Sequence, residues 1–402
     1  MPEQFLHGVE VVEIDAGPRP IRTVKSSVIG IVGTAPDADA AAFPLNTPVL
    51  IAGSRKEAAK LDTVGNYAGT LPAALDAIMD QCGAMVVVIR VEAGANDAAT
   101  MTNVVGGVDG VTGAYEGVHA LLSSKSVLGF TPRILLAPGF THQRTEDAEN
   151  PGTFLKNPVA AELEGIAERM RAVILVDGPN TNDAAAIAAI GDYGTARVYM
   201  VDPWVKVYRN GLYVDEPASA RVAGVIARTD NDKGFWWSPS NKPIYGISGT
   251  SRPVDFTLGD VNCRANALNE KNVATIINEG GYILWGNRTA STDPKWAFLS
   301  VRRTADMINE SLLQAHLWAV DRNITKTYVQ DVIEGVNAYL RHLKAVGAIL
   351  GGSCWADPEL NTPDQIAQGK IYFDFDFTPP YPAEHITFRS HMVNDYITEV
   401  FE

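Results

Sequence analysis

The residues that could do chemistry are few and scattered. Asp177 and Asp202 each stand where an apolar run ends, after Ala172-Val173-Ile174-Leu175-Val176 and after Arg197-Val198-Tyr199-Met200-Val201. Sites in open α/β sheets form at the carboxyl ends of strands, so these two carboxylates are the candidates for acid–base work. Each is followed by a turn former, Gly178-Pro179 or Pro203. Aspartates in such turns commonly accept hydrogen bonds from nearby backbone, which is the competing, structural reading. His119, His316 and His342 fall on helical stretches with no acidic or cysteine partner at ligand spacing, so no metal site is expected. Cys82, Cys263 and Cys354 are far apart and odd in number; they suggest no disulfide framework and suit a reducing cytoplasm. No phosphate loop, GxGxxG, HExxH, CxxC or GxSxG stands in the chain. The sequence therefore assigns no catalytic, cofactor-binding or metal-binding residue.

The elements that would have to position such residues point to an assembly of domains. A length of 402 residues predicts two or three. Apolar residues make up 46% and charged residues 20%, as in ordinary globular proteins. With 33 basic against 47 acidic residues the net charge is −14, which disfavours general nucleic-acid binding. Met1-Pro2-Glu3-Gln4-Phe5-Leu6-His7-Gly8 has neither the basic lead nor the apolar stretch of a signal peptide. The longest apolar runs, Ala84 to Ile89 and Ala184 to Ile190, are too short to cross a bilayer. The expectation is a cytoplasmic chain with no membrane insertion of its own.

Residues 1–22 read as an arm. Val9, Val11, Val12 and Ile14 alternate imperfectly with Glu10, Glu13 and Asp15 before Gly17-Pro18-Arg19-Pro20 breaks the chain. A lone strand cannot satisfy its own backbone and must pair with something. Extended, twenty residues reach roughly 65 Å, enough to span to another subunit; a first strand in the chain's own sheet is the alternative.

From Ser26 onward, strands and helices alternate. Strands are expected at Val28–Gly33, Pro48–Ala52, Met85–Val91, Arg133–Ala137, Ala172–Asp177 and Arg197–Val201. Helices are expected after the Ser54–Glu57 capping pattern and at 71–81, 115–124, 159–171, 183–190 and 217–227, with a loop at 93–113. The alternation indicates an open α/β sheet covered on both faces. Further on, helices are expected at 304–322 and 328–346, the second capped at Thr327. An alternating strand is expected at 370–377. Strand-like pieces follow Pro379-Pro380-Tyr381-Pro382, at His385–His391 and Tyr396–Phe401.

One stretch organises the C-terminal third: Gly280-Gly281-Tyr282-Ile283-Leu284-Trp285-Gly286-Asn287-Arg288-Thr289. Locally it is a short buried strand with a tight exit. It follows Asn266 to Ile277 and precedes an apparent second strand, Trp296 to Val301, and Arg302-Arg303. This order resembles the contractile tail sheath proteins of phages and phage-tail-like bacteriocins. "LLAPGF" at 135–140, "LVDGP" at 175–179 and Gly234 to Asn241 are similar too. The resemblance covers nearly the whole chain, most strongly 230–300 and 325–380.

The resemblance implies a fold of mixed α/β and α+β class. It has an N-terminal strand arm at 1–22 and an α/β domain at 23–258, whose part from about 106 is open and subtilisin-like. A C-terminal α+β domain facing the tube follows at 259–378, and a second strand arm at 379–402. It implies a structural subunit, not an enzyme and without cofactors. Such a subunit forms a helical sheath of stacked hexameric rings around an inner tail tube protein, meets baseplate and tail terminator proteins, assembles in the bacterial host cytoplasm and contracts to drive the tube through an envelope. An α/β-fold enzyme, hydrolase or dehydrogenase, is the alternative.

Two sets of contact residues follow. Sheath subunits attach to the tube through the C-terminal domain, and Arg322, Lys326, Arg341 and Lys344 would give helix 328–346 a cationic face for an acidic tube. The helix dipole, which favours early acids and late bases, explains the same pattern without a partner. The arms would bury Val9, Val11, Val12, Ile14, Ile386 and Phe388 in neighbouring subunits, as strand addition to exposed edges requires.

Overall fold

The computed structural model describes residues 20–394 and 396. Its main body is one nine-stranded sheet with helices on both faces. In chain order the sheet module contains β1 (Ile29–Thr34), β2 (Val49–Ala52), α1 (Leu71–Met79), β3 (Met85–Val91), α2 (Asp97–Val105), β4 (Ile134–Leu136), α3 (Pro158–Met170), β5 (Val173–Asp177), α4 (Asp183–Ile190) and β6 (Val198–Val201). The hairpin β7 (Val205–Arg209) and β8 (Leu212–Glu216), α5 (Ser219–Asp232), β9 (Lys242–Pro243), α6 (Arg264–Glu270), β11 (Val273–Asn278) and β12 (Tyr282–Trp285) follow, with β10 (Gly249–Thr250) pairing to β7. The strand order is β9-β12-β11-β6-β5-β4-β1-β3-β2. The six strands from β11 to β3 run parallel; β2, β12 and β9 are antiparallel to their neighbours.

The parallel strands are buried on both faces, so they read as unbroken apolar runs. Alternate side chains go to opposite layers. Ile29, Ile31, Val86 and Val88 pack with Leu71, Leu75, Val222 and Ile226; Val32, Val87 and Ile89 pack on the face that holds Leu163, Ile166 and Ile190. The mixed α/β expectation is met at this level.

A smaller module carries α7 (Leu299–Ala315), α8 (Lys326–Ala345) and an antiparallel pair, β13 (Gly351–Ala356) and β14 (Phe373–Thr378). Phe373, Phe375 and Phe377 line one face of β14 and pack with Met307, Ile308, Val336, Tyr339 and Leu340. Ile21 and Val24 join this cluster. The Val24 N–H donates to Ser311 Oγ at 3.0 Å, and Thr23 and Tyr339 hydroxyls share a 2.9 Å hydrogen bond.

Arginine–carboxylate pairs bind α7 to the sheet module. Asp306, 1% exposed, receives Arg197 at 2.6 Å and Arg302 at 2.8 Å. Arg133 reaches Glu310 at 2.9 Å. Burial would raise Glu310, yet its hydrogen bond from Gln314 and the charge of Arg133 hold it below the usual carboxylate range.

Several local expectations are corrected. Trp296–Val301 is not a strand: Pro294–Trp296 is a 3₁₀ turn, only Phe298 bridges to Arg288, and the helix begins at Leu299. The 93–113 loop contains α2, because Asn96 caps it by accepting the Ala99 N–H. Tyr115–Ser124 starts as a two-residue strand and tightens to 3₁₀ at Gly117, whose φ of 57° a helix cannot continue. Helix 304–322 starts at Leu299 and ends at Ala315, with a 3₁₀ turn at Leu317–Ala319. The cap of α8 is Thr325, whose hydroxyl accepts the Tyr328 N–H, not Thr327. Gly351-Gly352 opens β13 rather than only breaking the chain. The sheet continues past residue 259, through β11 and β12 to Trp285. Residues 385–391 form no strand, and a strand without a partner has no ladder to hold it. Val9, Val11, Val12, Ile14 and all but Tyr396 of the 396–401 piece lie outside the described residues.

Candidate assembly surfaces

The two aspartates singled out for chemistry are engaged in holding turns. Asp177 is fully buried at the end of β5, where its carboxylate accepts the Ser219 N–H at 2.8 Å and the Ser219 hydroxyl at 2.6 Å. It thus caps the N-terminus of α5, which leaves four amides unsatisfied otherwise. Burial pushes its pKa up to about 6, against the lowering bonds from Ser219 and Ala218. Asp202, also buried and raised by burial, accepts the Asn180 N–H at 2.8 Å and pairs with Arg252. Arg252 and Arg264 both reach Asp183, holding its carboxyl below the usual range. Neither buried carboxylate is left with a free face for a substrate. Among the described residues no group of three or more His, Cys, Asp or Glu could hold a metal, and no helix is long and apolar enough to cross a membrane.

The unsatisfied surface lies instead in the smaller module. β13 and β14 form a sheet of two strands. The outer edge of β13 is closed at Cys354, whose N–H donates to Asn337 Oδ1 at 2.8 Å and whose carbonyl accepts Asn337 Nδ2 at 3.0 Å. β14 pairs with β13 alone among the described strands. Beside Phe373 and Phe375 runs an open groove of about 1490 Å³, lined by Leu312, Leu317, Tyr328 and Val336. Leu313, Leu317 and Val320 on its rim are 59%, 76% and 63% exposed, an apolar surface that marks interaction sites.

The candidate cations do not form one compact cluster. Arg322 folds onto Trp318, donating Nε to its carbonyl at 3.0 Å with the guanidinium over the ring. Lys326 opens α8, and Arg341 and Lys344 sit one turn apart near its end. At 1.5 Å per residue, roughly 22 Å separates Lys326 from Arg341. Exposed Asp331 and Glu334 lie between them. The structure thus makes two pairs, one at each end of the helix. Asn337, half-buried on α8, is the amide that closes β13.

After Thr378 the chain leaves the smaller module and returns to the exit of β12. Pro379 is buried, Tyr381 meets Phe298 edge-on, and Glu384 takes a two-point bond from Arg288 at 2.7 and 2.6 Å. Beyond it every described residue is exposed, with Ile386 at 67% and Phe388 at 93%. Arg288 lies within the Gly280–Thr289 stretch, but no local pattern gives it a role, because its partner lies 96 residues away.

A covered core, capped carboxylates and unsatisfied strand and apolar surface define the fold as that of an assembly subunit. The chain belongs to the contractile phage tail sheath family. Residues 26–91 match the model for the N-terminal region of domain III of the tail sheath protein Gp18. Residues 113–290 match the phage tail sheath central domain, and 291–392 the phage tail sheath C-terminal domain. The Gly280–Thr289 stretch falls within the match to the central domain. A putative prophage major tail sheath protein of Pseudomonas aeruginosa (strain UCBPP-PA14) is 45% identical over 99% of both chains. The tail sheath protein of Escherichia phage P2 is 35% identical over 98% of both. In fold, the chain is similar to the helical sheath of the anti-feeding prophage in its contracted state. The TM-score is 0.72 at 21% identity, over 97% of this chain and all of that one.

Proposed function

We propose that this chain polymerises into a helical sheath around an inner tail tube, extended until a baseplate signal converts it to a shorter, wider lattice that drives the tube through a target envelope. The observation that carries the reading is the β13–β14 pair, whose β14 edge meets no further strand among the described residues and lies beside an apolar groove; in sequence, both terminal stretches have strand character. Arms at 1–22 and 379–402 add to such edges on neighbouring copies, and heterologous contacts of this kind propagate without closing. Each added backbone bond is worth only about 0.5–1.5 kcal/mol, but a strand makes several and buries apolar side chains as well.

The central sheet is read as subtilisin-like in form and structural rather than enzymatic in role, a reading supported by the occupation of Asp177 and Asp202 in turns. The domains are 1–22, 23–258, 259–378 and 379–402, with the C-terminal part facing the tube. Either cation pair, Arg322 with Lys326 or Arg341 with Lys344, can serve the tube. Baseplate and tail terminator proteins bound the polymer, which assembles in the host cytoplasm. The driving energy is improved subunit contact on contraction, since the sequence carries no nucleotide motif.

Electron microscopy of the purified chain tests the reading. Tubes or stacked rings are expected, and deletion of residues 1–20 or 381–402 is expected to leave folded monomers. Discrete particles from the parent chain, or unchanged tubes from both deletions, would overturn it.

A further inference from the structure

We propose that Arg288 is the positioning residue for the C-terminal arm. It is a clamp that sets where and in which direction residues 385–402 leave the subunit. The proposal rests on the reading of that segment as an inter-subunit connector. The geometry carries the rest. Between Thr378 and Glu384 stand Pro379, Pro380 and Pro382, which favour a stiff, extended backbone; six residues at about 3.1 Å each span roughly 19 Å. That strap starts on β14 in the smaller module and ends on the sheet module, at the turn leaving β12. There the Arg288 guanidinium forks onto both oxygens of Glu384, at 2.7 and 2.6 Å. The same guanidinium lies over the Phe298 ring, which Tyr381 of the strap meets edge-on. Forked pairing fixes orientation as well as distance, which a lysine could not do.

Glu384 is the last described residue held by another part of the chain through a charged contact. Residues 385–394 are all exposed. A connector that must meet a neighbour's surface gains from a fixed take-off point, because less conformational freedom is lost when it docks. Arg288 and Glu384 are each over a third exposed, so the clamp adds little to folding and its effect should appear in assembly.

The test uses the full-length chain. R288Q and E384Q are expected to melt as the parent does and to polymerise about fivefold less well by sedimentation. The exchange R288E/E384R should restore polymer. Spin labels introduced by K295C and T387C, with the native cysteines replaced, should give a narrow distance distribution that broadens in R288Q. Deletion of 385–402 separates the two ideas. If the deletion abolishes polymer while R288Q assembles normally, or if the label distribution does not change in R288Q, the clamp is wrong and the connector stands. If the deletion assembles normally, the connector reading itself fails. Loss of polymer that the exchange does not restore also overturns the clamp.

Discussion

Arg303 lays both terminal nitrogens on Asp230, at 2.7 and 2.6 Å, with the two side chains 3% and 2% exposed. Asp230 also accepts the Ser26 hydroxyl at 2.6 Å, and Arg303 donates to the Ser26 carbonyl at 3.2 Å. One buried pair thus joins α7 of the smaller module, α5 of the sheet module and the segment that enters β1.

A buried charge stripped of its partner is costly, by about 3–5 kcal/mol, whereas replacing both partners with apolar groups can be nearly neutral. D230N or R303M alone should therefore lower unfolding stability by that amount in denaturant melts. The double variant D230L/R303M should recover much of the loss. Equal losses in single and double variants would show that the residues act separately.

Asp177 gives a pH signature. Unfolded, it titrates near 3.8; in the fold burial moves it to about 6. Between those values the folded chain holds a proton that the unfolded chain has released. This residue's contribution to stability is therefore greatest below pH 4, falls as pH rises toward 6, and is level above that, by up to about 3 kcal/mol. D177N should remove that slope from a series of melts between pH 4 and 7. An unchanged difference between parent and variant across the range would refute the assignment.

These two relationships mark what the sequence can and cannot reveal. The parallel strands were legible because burial on both faces leaves runs such as Met85–Ile89 apolar throughout. α8 was legible because Val332, Val336, Leu340 and Leu343 recur on one face. Trp296–Val301 misled because six residues rich in apolar groups suit a strand and the first turn of a buried helix equally well. α2 was hidden by its Ala, Thr and Asn content, which carries little periodicity; only Asn96 as a cap could have signalled it. Asp230–Arg303 and Arg288–Glu384 join positions 73 and 96 residues apart, and no local pattern encodes such pairs.

Asn337 closes the β13 edge by serving both the N–H and the carbonyl of Cys354. N337A leaves both groups without a partner in a part-buried place, a loss of about 1–3 kcal/mol. N337D keeps the acceptor for the N–H but sets a carboxylate oxygen against the carbonyl, and should be at least as damaging at neutral pH. Hydrogen exchange at Cys354 reads the effect directly: its amide should lose protection in N337A while Ile308 in α7 keeps it. Uniform loss across the module would mean that Asn337 supports the fold generally rather than this edge.

The two cation pairs, Arg322 with Lys326 at the entry to α8 and Arg341 with Lys344 near its end, can be told apart because they sit at opposite ends of the helix. R341E/K344E puts acids beside the negative end of the helix dipole, where they are unfavourable by a few tenths to about 1 kcal/mol. R322E removes a guanidinium from the Trp318 ring, and K326E places an acid in the first turn, where the dipole welcomes it. The second double variant should therefore melt closer to the parent than the first. If either pair meets an acidic tube, its reversal should weaken co-sedimentation with tube protein at low salt, by more than its effect on melting. Screening at 0.5 M salt should shrink the difference from the parent, as for any exposed charge contact. Tube binding that is indifferent to both reversals and to salt would remove α8 from the tube interface and leave its charge order to the dipole alone.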